Sequence, residues 1–274
     1  MDRIQVKNLH FHYRSGEEIL KGIDINFDCR STAIIGQNGA GKTTFVKLLK
    51  GLLKPTEGDV IINGINTKED TVAKLSKHIG LVFQNPNDQI FKNKVIDEIM
   101  FGPLNIGKTL EQAERSSIEA LKTVSLYEKK DENPYDLSLS ERKLISIASI
   151  VAMDTDIIIF DEPTIAQDYA GKEKIKNIIK DLNSQGKLVL SILHDMDFVG
   201  ETFERTLVFA DGKVLLDGST RDVYSHKDIL ESAHLEPPHV TQLCQKLGVK
   251  ETFLIVDEFI DYKNTLKRGI KKRM

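Results

Sequence analysis

Apolar residues occupy alternating positions in the first thirty residues of the chain, a pattern that predicts β-strands with one buried face. Two such strands are expected, over residues 4–11 and 23–27, with a turn at 14–17 between them. From residue 31 onward, short continuous apolar runs typical of buried strands alternate with segments of helical periodicity. The predicted strands are 31–35, 59–64, 79–83, 156–160, 187–193, 206–210 and 214–217, and the predicted helices are 42–53, 94–126, 138–153 and 171–182.

This alternation indicates an α/β fold whose mainly parallel sheet is covered by helices on both faces. The early strands and the closing hairpin at Asp211-Gly212 suggest an antiparallel portion attached to that sheet. Beyond Gly218 the chain is helical in character and is interrupted at Pro237-Pro238. We therefore expect one large domain, residues 1–218, followed by a small helical extension, residues 219–274.

The overall charge gives little reason to expect nucleic-acid binding, because the 274 residues carry a formal net charge of −3. Cys29 and Cys244 are too few for a disulfide framework. The chain start lacks the apolar segment of a signal peptide, and the longest apolar stretch, residues 144–153, is too short to span a bilayer. A soluble chain is expected, whose membrane role would require a partner. The basic tail from Lys263 to Arg273 fits either an anionic membrane surface or an ordinary solvated helix end.

A glycine-rich loop lies between the strand at 31–35 and the helix at 42–53. It fits the pattern G-x-x-x-x-G-K-[ST], in which backbone N–H groups surround nucleotide phosphates at the positive end of a helix. Lys42 is expected to reach the β- and γ-phosphates, and the Thr43 hydroxyl to ligate Mg²⁺. The nucleotide-binding candidates here are Gly36, Gln37, Asn38, Gly39, Ala40, Gly41, Lys42, Thr43 and Thr44.

Two adjacent carboxylates, Asp161 and Glu162, follow the apolar strand at 156–160. The carboxyl end of a strand is where ligands bind in open α/β sheets. Asp161 is expected to hold the Mg²⁺ shell, and Glu162 to act as a general base toward an attacking water. The alternative interpretation is a solvated strand end with no chemical role.

Two further polar residues, Gln84 and His194, come directly after apolar strands. If the sheet is parallel, both lie at the same edge as the glycine-rich loop. An amide suits the Mg²⁺ and water shell, and an imidazole can donate to a γ-phosphate. Taken singly, a glutamine at a strand end is usually an ordinary surface residue, and a lone histidine usually has no special role.

The order and spacing of these motifs resemble those of the ATP-binding-cassette (ABC) ATPase family. The resemblance covers about residues 2–218 and implies a P-loop NTPase core, an antiparallel β subdomain and an inserted helical subdomain over about residues 91–153. It also implies that Tyr13 stacks on adenine, although an ordinary strand aromatic is the alternative. The matching elements are the glycine-rich loop, Gln84, Leu137-Ser138, Asp161-Glu162-Pro163-Thr164, Asp168 and His194, and Ser138 and Asp168 thereby join the ATP-binding candidates.

Two shorter stretches, residues 84–91 and 162–168, resemble the energy-coupling-factor group of this family, which drives vitamin and metal-ion uptake. The resemblance implies an ATP-hydrolysing subunit that uses ATP and Mg²⁺ at the cytoplasmic face of the cell membrane. Its partners would be a second ABC ATPase subunit and transmembrane coupling and substrate-binding subunits. The candidates for lining the groove that receives the membrane partner are Phe83, Asn87, Asp88 and Phe91. The alternatives are a soluble cassette ATPase acting on nucleic acid or ribosomes, and an ATP-binding switch with little turnover.

The signature motif departs from the family pattern Leu-Ser-Gly-Gly-Gln, since the chain has Leu137-Ser138-Leu139-Ser140-Glu141. In the family, this segment contacts the γ-phosphate of ATP held by the opposite subunit. Leu139 and Ser140 add side chains where the backbone must come close, and Glu141 adds a negative charge, although the Ser140 hydroxyl offers a compensating hydrogen bond. Ser138 and Glu141 also predict a helix capping box. Because the other motifs are whole, we hypothesise pairing with a different cassette that has an intact signature.

Overall fold

The structure is a computed structural model that describes residues 2–14 and 16–271, with side chains up to residue 265. Within these residues ten strands form two sheets. In chain order the strands are β1 (Ile4–His12), β2 (Glu18–Phe27), β3 (Thr32–Gly36), β4 (Glu57–Ile62), β5 (Ile65–Asn66), β6 (Ile79–Val82), β7 (Ile157–Asp161), β8 (Leu188–Ile192), β9 (Arg205–Ala210) and β10 (Lys213–Ser219).

The larger sheet has the strand order β10-β9-β3-β8-β7-β6. All its pairings are parallel except that of the edge strand β10 with β9. Every residue of β3, β6, β7 and β8 is buried, as expected when helices cover both faces of a parallel sheet. Parallel pairing brings the carboxyl ends of these strands to one edge, which is where the predicted site residues lie.

The smaller sheet is entirely antiparallel, in the order β2-β1-β4-β5. In it Val6 of β1 faces Ile25 on one side and Val60 on the other. The early strands therefore form a predicted antiparallel portion, and the closing hairpin is antiparallel as well, since β10 pairs with β9 at the edge of the larger sheet. Strand β9 pairs in parallel with β3 inside the larger sheet, because its five buried residues, 205–209, suit an interior strand.

Eleven helices lie within the described residues. The helix predicted over 42–53 ends at Leu49, because Gly51 adopts a φ of 77° that stops the helix. The stretch predicted as helical over 94–126 is two helices, broken near Gly107, whose φ is 102°. The helices are α1 (Lys42–Leu49), α2 (Val72–Leu75), α3 (Val95–Asn105), α4 (Leu110–Thr123), α5 (Leu139–Val151), α6 (Tyr169–Ser184), α7 (Met196–Thr202), α8 (Thr220–Ser225), α9 (Lys227–Ser232), α10 (His239–Lys246) and α11 (Val256–Lys271).

Helix α1 is held between the two sheets, and this fixes the loop that precedes it. Phe45 of α1 is fully buried, with its ring 6.3 Å from that of Phe27 in β2 and 5.1 Å from that of Phe209 in β9. Burying one such ring contributes roughly 2–3 kcal/mol. A second apolar core lies on the other face of the larger sheet and includes residues of α3, α4, α5 and α6.

Helices α3, α4 and α5 pack on one another and form the helical insert, as predicted. Helices α8 to α11 make up the C-terminal part, where Phe253 packs against Phe259 and Tyr262. Arg221 of α8 donates to Glu258 of α11 at 2.6 Å. Of the basic tail, Lys263 lies 5.4 Å from the Phe259 ring, whereas the side chains from residue 266 on lie outside the described part of the structure.

Candidate active site

The glycine-rich loop leaves β3 and enters α1 in a backbone shape that requires glycine. A Cβ atom on Gly36 would lie 2.3 Å from the carbonyl oxygen of Phe209, far inside contact distance. Gly41, which precedes the first residue of α1, has a φ of 100°, and a Cβ there would meet Leu20 at 2.7 Å. The loop therefore presents bare backbone at the N-terminal end of a buried helix, the arrangement that binds phosphate groups.

Lys42, the first residue of α1, folds back over this loop. It is 5 % exposed, and its Nζ donates to the carbonyl oxygens of Gly36 at 2.6 Å and Gln37 at 2.8 Å. Burial lowers the pKa of Lys42, and the negative charges of Glu162 and Asp161 partly offset that effect. The ammonium thus lies near both the loop and the two carboxylates, and its predicted contact with the β- and γ-phosphates stays a prediction.

Asp161 ends β7 and is 4 % exposed. Its Oδ1 atom is buried without a hydrogen-bond partner. Burial and the neighbouring charge of Glu162 raise the pKa of Asp161, outweighing the opposing effects of the Lys143 charge and the nearby Thr43 hydroxyl. A buried carboxylate oxygen without a partner, with a hydroxyl beside it, is the donor set that fits a hard divalent cation such as Mg²⁺.

Glu162 contacts the two other predicted catalytic residues, Gln84 and His194. Its Oε2 accepts a hydrogen bond from Nε2 of Gln84 at 3.0 Å, and its Oε1 lies 3.1 Å from Nε2 of His194. The backbone of Glu162 has a φ of 48°, a strained value for a residue with a side chain, and its N–H donates to Ile192 of β8. The strain is tolerated because both sides of the carboxylate and the backbone N–H are engaged.

The signature segment is locked in the predicted capping box at the start of α5. The Ser138 hydroxyl accepts from the N–H of Glu141, and Glu141 accepts in return from the N–H of Ser138 at 3.0 Å. Lys129 also donates to Glu141, at 2.5 Å, and these bonds with Lys129 and Ser138 lower the pKa of Glu141 to about 2. The Ser140 hydroxyl donates to the side chain of Gln167, so the hydroxyl that could compensate for a missing glycine is already engaged.

Two predicted ATP contacts have local partners in the chain itself. Asp168 is the N-cap of α6 and accepts from the N–H of Gly171 at 2.8 Å. Tyr13 is 43 % exposed and packs edge-on against Phe11, with ring centroids 4.9 Å apart. Their roles toward ATP stay predictions.

One residue at this site was missed by the sequence reasoning. Lys143 of α5 is 1 % exposed, and its Nζ donates to the carbonyl oxygens of Phe83, Gln84 and Asp161. Burial lowers the pKa of Lys143 to about 8, against the opposing charges of Asp161 and Glu162. The available signal was a lysine within the apolar run of helix 138–153, which indicates a buried and partnered charge.

A family profile described as "ABC transporter" matches residues 20–165, the span that carries the glycine-rich loop, Gln84 and the Asp161-Glu162 pair. The chain belongs to the ABC family. Among relatives of this cassette, the energy-coupling factor transporter ATP-binding protein EcfA of Methanocaldococcus jannaschii is 37% identical over 257 residues, which cover 92% of this chain and 91% of the relative.

Two solved structures extend the comparison. CbiO1 of Clostridium perfringens, described as part of the ABC transporter complex cbiONQ, has a TM-score of 0.75 and 29% identity, and the match covers 89% of this chain and 99% of CbiO1. The dimeric cassette MJ0796 in a post-hydrolysis state with ADP and Pi has a TM-score of 0.73 and 29% identity, over 80% of this chain and 99% of that one. The predicted fold and the ATPase class are confirmed, and ABC cassettes of this kind dimerise and serve transporters.

Within the described residues, no helix of this cassette combines the length and apolarity needed to cross a membrane.

Proposed function

We propose that this cassette hydrolyses ATP to drive uptake of a vitamin or a metal ion through membrane partner subunits, at the cytoplasmic face of the membrane. The observation that carries the proposal is the Glu162 carboxylate, which is held between Gln84 and His194 beside the glycine-rich loop. Uptake of this kind is supported by the likeness to EcfA and to CbiO1.

In this mechanism, the glycine-rich loop and Lys42 bind the phosphate groups of ATP through backbone N–H groups and the ammonium. Glu162 takes the proton of the attacking water, while Gln84 and His194 orient its carboxylate. Thr43, Gln84 and Asp161 would hold Mg²⁺, which neutralises charge on the phosphates when bound. Both carboxylate oxygens of Glu162 are aligned by neighbours, so the base is positioned before the water arrives.

The groove proposed for the membrane partner lies between the larger sheet and the helical insert. A cavity of about 460 Å³ is lined there by Phe83, Phe91 and Phe101, with the last two rings in edge-on contact at 4.7 Å. Asn87 and Asp88 were expected in the lining but lie outside it, in the short turn Pro86–Asp88, where Asn87 accepts from Arg142 at 2.8 Å. Phe91 is 52 % exposed and Phe101 40 %, so the groove offers an apolar surface to an amphipathic partner helix.

The proposed second cassette is a different chain with an intact signature. Support comes from the segment that would face the partner's ATP, where Leu139 is 43 % exposed and Glu141 is fixed in its capping box. One composite site, formed by this chain's Lys42 and Glu162 and the other chain's signature, would then be competent, and the reciprocal site impaired.

The test is Glu162→Gln in the chain co-purified with its membrane partners from tagged cells. Hydrolysis is expected to fall by about 10²–10⁴-fold with ATP affinity unchanged, because only the proton acceptor is lost. Uptake of labelled cobalt, nickel and water-soluble vitamins by cells lacking the chain would identify the cargo class. Normal hydrolysis by Glu162→Gln would remove Glu162 from its role, and unaltered uptake of every compound in the deletion strain would refute the import function.

A second candidate function is an ATP-dependent switch with weak turnover, which the engaged Ser140 and Glu141 side chains favour. It predicts that ATP closes the dimer while hydrolysis stays slow even with a partner cassette present. Turnover measured with and without that partner separates the two functions.

A further inference from the structure

Lys143 is a buried cation that binds the backbone of the candidate active site. Its Nζ donates to three main-chain carbonyl oxygens, those of Phe83 at 2.8 Å, Gln84 at 2.9 Å and Asp161 at 3.1 Å. An ammonium has three N–H donors, so all of them are used on the backbone. Such a buried cation is expensive to desolvate and persists only where its partners are fixed.

The three carbonyls belong to the two segments whose side chains meet at the catalytic carboxylate. Phe83 and Gln84 directly follow β6, and Asp161 ends β7 and precedes Glu162. The side-chain amide of Gln84 also donates to the carboxylate of Glu162, at 3.0 Å. Lys143 therefore holds the backbones of both halves of the Gln84–Glu162 pair.

Lys143 itself stands on α5, the helix of the insert that begins at the signature segment. Movement of α5 relative to the sheet thus acts directly on the carbonyls of Gln84 and Asp161. We propose that Lys143 is a positioning residue for hydrolysis, whose ammonium sets the Gln84–Glu162 geometry and ties it to the placement of α5. The inference rests on the proposed role of Glu162 as the general base.

The chain offers a matched control in Lys50. This second buried lysine is 8 % exposed and donates to Ile79, the first residue of β6, at 2.6 Å and to the Ser76 hydroxyl at 2.7 Å. Burial lowers its pKa to about 8, as in Lys143. Both lysines are buried and bind the backbone at opposite ends of β6, and only Lys143 is at the catalytic end.

The experiment compares Lys143→Met with Lys50→Met in the full chain with its co-purified partners. For Lys143→Met we expect kcat to fall about 10–100-fold, because misplacing a catalytic group by about 1 Å costs up to about 10²-fold, while ATP affinity stays within about threefold. Lys50→Met is expected to keep kcat, and the melting temperatures of both variants show whether each one is folded. Unchanged kcat in a folded Lys143→Met, or equal kcat losses in the two variants, would overturn the inference.

Hydrogen–deuterium exchange on the same variants provides a readout that needs no hydrolysis. Lys143→Met is expected to raise amide exchange around residues 83–85 and 161–163 more than Lys50→Met does. Equal exchange there overturns the positioning role. If Glu162→Gln hydrolyses ATP normally, the proposed base is wrong, and the exchange comparison still decides whether Lys143 holds these two segments.

Discussion

Replacing Asp161 by asparagine should affect the free and the ATP-bound cassette in opposite directions. The carboxylate is 4 % exposed, and its Oδ1 is buried without a hydrogen-bond partner. Burial and Glu162 raise its pKa above the unfolded value. The folded state therefore binds the proton more tightly, so the unfolding free energy falls as pH rises through the unfolded and then the folded pKa. At neutral pH the charged carboxylate destabilises the free protein.

The size of the effect follows from the unpaired oxygen. A buried polar group without a partner costs about 1–3 kcal/mol and a charged one costs more. Asparagine is still polar and keeps the shape, so the substitution removes only the part of the cost that belongs to the charge, which we take as about 1–3 kcal/mol. For a chain of this size, 1 kcal/mol shifts the melting temperature by about 2–4 °C, so Asp161→Asn is expected to melt about 2–12 °C higher in EDTA. With Mg–ATP at 100 times its Kd the wild type gains about 2.7 kcal/mol, and the variant loses the metal-dependent part of that gain.

Thermal unfolding followed by circular dichroism in EDTA and in Mg–ATP measures both effects. Asp181→Asn, which changes an exposed carboxylate in the last turn of α6, is the control and should melt close to the wild type in both solutions. The reasoning is refuted if Asp161→Asn melts at or below the wild-type temperature in EDTA. It is also refuted if the variant keeps the full Mg–ATP shift.

Three further predictions concern the loop, the signature and a buried lysine. Gly36→Ala should weaken binding of a fluorescent ATP analogue more than tenfold, because the new Cβ would lie 2.3 Å from the carbonyl oxygen of Phe209. In Gly39→Ala the new Cβ would have no atom within 4 Å, so this variant should show only the cost of its φ of 84°, about 1–2 kcal/mol of stability. Glu141, with its pKa lowered to about 2, should contribute about 0.5–1 kcal/mol of stability above pH 5 that disappears as pH falls toward 2. The free energies of unfolding in urea of Glu141→Gln and the wild type should therefore converge in acid, and a constant difference between them at every pH would contradict this. Lys50, with its pKa lowered to about 8, is charged more readily in the unfolded chain, so Lys50 should add up to about 3 kcal/mol of stability as pH rises from 8 to 10.5. Lys143 has the same lowered pKa, so Lys50→Met should remove about half of the combined rise, and an unchanged slope would show that Lys50 does not contribute.

The parts of this site that could be predicted are those that a parallel sheet brings together. Gln84, Glu162 and His194 each come just after an apolar strand, and parallel pairing of β6, β7 and β8 places all three at one edge. The capping box at Ser138 was predictable for a different reason, because both of its partners lie within one helical turn.

Contacts between side chains and distant backbone could not be predicted in the same way. The pairing of Lys143 with the carbonyls of Phe83 and Gln84 joins positions about sixty residues apart. The local sequence around Lys143 does not indicate which carbonyl oxygens its ammonium binds. The pairing of β9 with β3 could not be predicted for a similar reason, since a hairpin signal indicates the turn and not the neighbour on the other side.

The contacts of the signature segment change which of its three departures from the family pattern matters most. Glu141 was expected to repel a polyphosphate, but its charge is paired with Lys129 at 2.5 Å, so its field is closer to that of a dipole and falls off faster with distance. The Ser140 hydroxyl is bound to Gln167 and gives no free donor. Leu139, with 43 % of its surface exposed at the helix start, then remains as the departure that would meet an opposing phosphate. Under the proposed pairing, the obstacle to a symmetric pair of sites would be steric at Leu139 more than electrostatic at Glu141, and a partner cassette with glycine at that position would remove it from one of the two sites.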